Sequence, residues 1–103
     1  LNSTQHATRR RNIRAASGQL AHLYDDIARL DLELATMHTI ADESFIASDE
    51  LTASIAIRTA HALEAEISHL LAEAEIAESV VDDAMRRSMH AMRAALRSED
   101  AVV

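Results

Sequence analysis

Residues Ile13 to Met37 read IRAASGQLAHLYDDIARLDLELATM, and the spacing of their apolar side chains decides the fold. Ile13, Ala16, Leu20, Leu23, Ile27, Leu30, Leu34 and Met37 recur at alternating intervals of three and four. A strand would need a period of two, whereas this spacing keeps one face of a helix oily over seven turns, as in a coiled-coil seam. Asp25, Asp26, Arg29 and Glu33 fill the positions between. The spacing predicts a first helix over about residues 8–40. Gly18, the only glycine, weakens helix by up to about 1 kcal/mol relative to alanine, which marks Ser17-Gly18 as the place for a break.

Downstream, residues 41–50 (ADESFIASDE) interrupt the stripe with Asp42, Ser44, Ser48 and Asp49. These side chains bond to nearby backbone and favour caps and turns. A turn over about 41–48 is expected, with Phe45 and Ile46 plugging the end of a helical hairpin. A second helix is expected over about 49–97. Its stripe reads Ala53, Ala56, Ala60, Leu63, Ile67, Leu70, Ala74, Ala77, Val81 and Ala84, with a flanking row of Ile57, Leu71, Met85 and Met92. That face is wider than one partner helix requires. Ser79-Val80-Val81-Asp82 has capping-box spacing and offers a start for a short third helix over 80–97, but the stripe runs through it, so continuity is expected. Residues 98–103 are expected to fray.

Composition agrees. The 103 residues include no proline, and alanine, leucine, arginine and glutamate are good helix formers. A sheet protein needs turn residues that this chain lacks. The expected class is all-α, a single antiparallel helical hairpin with coiled-coil-like packing. With one Phe, one Tyr and no Trp, an alanine-rich hairpin buries little apolar area. At roughly 25 cal/mol per Å² it is marginal alone. Self-association into a homodimeric four-helix bundle is the expected remedy. Leu63, Ile67, Leu70 and Leu71 would face Leu20, Leu23, Ile27 and Leu30.

The absence of cysteine excludes disulfides and thiolate metal sites. No apolar run is long enough for a membrane span, and no signal peptide is visible. The compartment is undetermined, with the cytoplasm as default. The chain starts at Leu1, as a processed or trimmed piece would. Net charge is −7, and it is sorted. Residues 25–83 hold fifteen acidic side chains against Arg29 and Arg58, while Arg9, Arg10, Arg11 and Arg14 precede them and Arg86, Arg87, Arg93 and Arg97 follow. A hairpin brings the basic groups together, away from an acidic tip. A protein partner is expected to use that polarity, or two copies to pair antiparallel. Four arginines before an acidic body, Thr8 to Arg14 (TRRRNIR), resemble a basic-region zipper but make nucleic acid an improbable partner.

Glu66-Ile67-Ser68-His69 is similar to the Glu-x-x-His element of ferritin-like carboxylate bundles. The resemblance implies a di-iron or manganese site in which Asp26 or Glu33 joins Glu66 and His69. With a turn near residue 45, antiparallel partners have numbers adding to about 91, which brings His22, Asp25 and Asp26 level with Glu66 and His69. Counting the stripe as heptad positions a and d, Asp26 and Glu66 fall at g and His69 at c. Those positions are peripheral, so solvated surface is the expected role and no cofactor is expected. Met85, Met89 and Met92 beside His90 suit a plastic core or a groove for a partner helix better than a soft-metal cluster.

Three further resemblances imply less. Arg58 to Leu63 (RTAHAL) is similar to the phospho-accepting stretch of histidine phosphotransfer bundles, but Glu64 and Ala65 stand where that family has lysine and glycine. Leu23 to Leu34 (LYDDIARLDLEL) resembles the opening helix of all-helical chorismate mutases, with Tyr24 in place of the first arginine. The hairpin proportions resemble small secreted Trp-x-Gly hairpins, although the turn reads Asp42-Glu43-Ser44-Phe45. No nucleophile-plus-base arrangement or phosphate loop is present, so a non-enzymatic oligomerisation or protein-interaction module is the expected function.

Overall fold

A computed structural model describes residues 2–102, and among them there are two helices and no strand. Helix α1 spans Asn2–Ile46 and helix α2 spans Glu50–Val102. Both exceed the expected lengths. Neither Ser17-Gly18 nor Ser79–Asp82 interrupts its helix, so there is no separate helix over 80–97. A lone glycine costs a long helix less than breaking its hydrogen bonds would, and a capping-box pattern has nothing to cap where the apolar stripe continues. Leu1 and Val103 lie outside the described residues, as do the side chains of Asn2, Ser3, Gln5, His6, Arg9, Asp100, Ala101 and Val102.

The turn is shorter and later than residues 41–48. Helix α1 runs through Phe45 and Ile46 and ends in a Schellman arrangement. Ser48 N–H donates to Phe45 O at 3.1 Å, and Asp49 N–H donates to Ser44 O at 2.8 Å. Ser48 takes the left-handed conformation, φ 58°, that glycine usually supplies. One residue on, Asp49 caps α2. Its carboxylate accepts from Thr52 N–H at 3.1 Å and from the Thr52 hydroxyl at 2.7 Å. Those bonds favour the charged form and hold its pKa below the ordinary value. The chain thus leaves one helix and enters the next with no glycine or proline.

The chain forms two compact units. The first comprises residues 22–74, in which α1 and α2 meet across the turn. Its core is Leu23, Ile27 and Leu30 from α1 with Ala53, Ala56, Ala60, Leu63, Ile67 and Ala74 from α2. All nine belong to the three–four stripes, and no polar residue is buried among the described ones. Small alanines near the turn let the backbones approach closely. The second unit comprises residues 1–21 with 75–103. There Ile13, Ala16 and Leu20, and Ala77, Val81, Ala84, Ser88 and Ala91, are half-buried at the same spacing. It also gathers Arg10, Arg11 and Arg14 with Arg86, Arg87, Arg93 and Arg97.

Candidate interaction surface

Each stripe residue is apolar because it sits on the line where one helix covers the other. Leu23, Ile27, Leu30, Leu63 and Ile67 are buried, and Leu20 and Leu70 are half-buried. Leu71 is 46% exposed, so it belongs to the flanking row and not to the intramolecular seam. Tyr24, Phe45, Ile57, Met85 and Met92 occupy the same heptad position, e, and are exposed with it. The expected Phe45–Ile46 plug is absent. These side chains are 80% and 83% exposed, because α1 carries them past the last seam residue, Ser44, onto its outer surface.

Within residues 22–74, the e-side of the hairpin forms a groove of about 370 Å³ lined by His38, Ala41, Asp42, Phe45, Ala53 and Ile57. Beside it, His38 Nε2 lies 3.8 Å from Glu64 Oε1 on the facing helix. Alanine at 41 and 53 leaves the floor shallow, and Phe45 and Ile57 supply its apolar walls. Sequence reasoning missed this groove; the e-position spacing of Phe45 and of Ile57 was the available signal.

The second unit presents a different surface. Met85, Met89, Met92 and Leu96 follow a four–three–four spacing of their own, and all four are more than half exposed. Met85, Met89 and Met92 lie one position beyond the half-buried Ala84, Ser88 and Ala91, roughly 100° further round α2. These large side chains therefore occupy the outward face and the small ones the inner. Arg86, Met89, His90 and Arg93 line a smaller hollow on this surface.

Within the single chain, the carboxylate–histidine set that the resemblance to ferritin-like bundles implies is not gathered into one cluster among the described residues. The turn centres on Ser48, not residue 45, and Ala41 and Phe45 stand beside Ala53 and Ile57 across the groove, so level partners have numbers adding to about 97, roughly six residues or 9 Å from the expected register of about 91. Asp26 pairs with Arg29 on its own helix at 3.5 Å, and His69 with Glu73 at 3.0 Å. Glu33 and Glu66 are exposed. Among the described residues no three His, Asp or Glu side chains converge as metal ligands. No helix is long and apolar enough to cross a membrane, again among the described residues. Comparison with protein-family models, with curated proteins and with solved structures gives no match.

Proposed function

We propose that this chain is a non-enzymatic helical assembly module that self-associates, two hairpins forming a four-helix bundle, and in that form engages a protein partner. One observation carries the reading: after the intramolecular seam is satisfied, a second row of large apolar side chains stays exposed on α2. Ile57, Leu71, Met85 and Met92 repeat along a single face, with Tyr24 and Phe45 at the matching position of α1. A helix whose apolar width exceeds one partner is built for two or more. The seam is also thin. Four of its nine buried residues are alanine, and no side chain is completely enclosed among the described residues. Removing a second apolar face from water adds the burial that such a hairpin lacks alone.

The test is the mass of the full chain by light scattering, beside Leu71→Glu. Because Leu71 is exposed within the chain and shares its row with Glu64 and Glu78, the substitution leaves the seam intact. Wild type is expected at twice the chain mass at micromolar concentration, and the variant at the chain mass with unchanged helicity by circular dichroism. A monomeric wild type, or a variant that stays dimeric, removes the reading.

A further inference from the structure

The two exposed apolar surfaces differ in charge, and the difference is complementary. The groove at Phe45 and Ile57 lies in a unit, residues 22–74, that holds eleven acidic residues against Arg29 and Arg58. Asp42 lines the groove itself, and Glu64 stands beside it next to His38. The methionine face is the reverse: residues 84–98 contain four arginines and no carboxylate. Arg86 and Arg93 are one position beyond Met85 and Met92, so they flank the apolar row along one edge. Methionine is unbranched and polarizable, able to fill an irregular hollow where a branched side chain would not.

We propose that the groove between Phe45 and Ile57 receives the Met85–Leu96 face of a second copy of this chain, with Arg86 and Arg93 of that copy set against Asp42 and Glu64. This inference rests on the self-association proposed above and adds its orientation: the acidic unit of one copy meets the basic unit of the other. A two-fold pair makes the contact twice. Like-with-like pairing would instead set eleven carboxylates beside eleven, which opposes association. Rising salt weakens the contact, since its charges sit at an exposed rim.

Charge reversal tests it on the full chain. One variant carries Asp42→Arg and Glu64→Arg, the other Arg86→Glu and Arg93→Glu. Each alone is expected to self-associate at least tenfold more weakly than wild type. An equimolar mixture is expected to recover to within about threefold, because reversed rim then meets reversed arginine positions and native meets native. Recovery no better than the separate variants, or variants that associate like wild type, overturns the orientation. A second measurement does not depend on how these variants fold. The chain has no cysteine, so Ile57→Cys and Met89→Cys copies can be mixed and joined with a short bis-maleimide. The 57–89 product is expected to dominate. Dimers giving only 57–57 and 89–89 products overturn this inference and leave self-association standing, whereas a monomeric wild type removes both.

Discussion

His38 of α1 stands 3.8 Å from Glu64 of α2, a cross-helix pair on the same side of the hairpin as the groove at Phe45 and Ile57. Both side chains are more than half exposed, so the pair itself contributes little to stability. The contact joins the outer rows of the two helices, while the buried stripes and the turn at Ser48 set level partners whose numbers add to about 97. Nitroxide labels on cysteines at 33 and 73 are therefore expected to give a distance by pulsed electron resonance no longer than that of labels at 26 and 59, all four being exposed positions. A register adding to about 91 would instead make the 26–59 distance shorter by roughly 10 Å, from a rise of 1.5 Å per residue.

Ser48 holds a left-handed φ of 58°, where a Cβ costs roughly 1–2 kcal/mol. Ser48→Gly removes that strain but gives the unfolded chain more freedom, which offsets part of the gain. The expected net is a stabilisation of about 0.5–1 kcal/mol, read as a higher urea midpoint with unchanged slope. Ser48→Val, β-branched at the same φ, is expected to move the midpoint the other way.

Asp49 supplies a pH dependence of known sign. Two hydrogen bonds from Thr52 depress its folded pKa below the ordinary 3.8. A carboxylate depressed on folding stabilises fully above its unfolded pKa and loses that contribution as pH falls through the folded one. Asp49→Asn keeps a capping acceptor without the charge. Wild type is expected to melt above this variant at pH 6, with the gap closing once pH drops below 3.8. A gap independent of pH would mean that the charge contributes nothing to the cap.

The stripes were legible residue by residue, because burial follows the three–four spacing from Ile13 to Met37 and from Ala53 to Ala84. The turn was not, because it lacks glycine and proline: a serine holds the left-handed position, and one aspartate closes α1 and opens α2. Nor was the register legible, for a reason internal to the pattern. A slip of one heptad, close to the difference between the expected and the observed register, returns every stripe position to a stripe position. An alanine-rich seam has too few distinctive shapes to forbid such slips. The candidate metal set depended on register, whereas the flanking Leu71 row depended only on helical phase.

Gly18 lies inside α1 with open space where a Cβ would project. Nothing in the fold needs its missing side chain. Gly18→Ala is therefore expected to stabilise the helix by up to about 1 kcal/mol, seen as greater helicity at 222 nm and a higher melting temperature. A lower melting temperature would show that a neighbour outside the single chain approaches this point of α1.

Leu30 and Leu32 give a matched pair, two leucines two positions apart on one helix. Leu30 is 4% exposed in the seam, and Leu32 is 73% exposed on the outer face. Leu30→Ala removes buried methyl groups and leaves a cavity that the alanine-lined seam fills poorly, a loss of about 2–4 kcal/mol. Leu32→Ala removes the same atoms from water and is expected to change stability by no more than about 0.5 kcal/mol. Urea denaturation of both variants separates the effect of burial from that of composition, because their sequences differ only in which leucine is cut. Should Leu32→Ala cost as much as Leu30→Ala, the outer face would be covered in solution, and the surface buried between copies would extend beyond the Leu71 row.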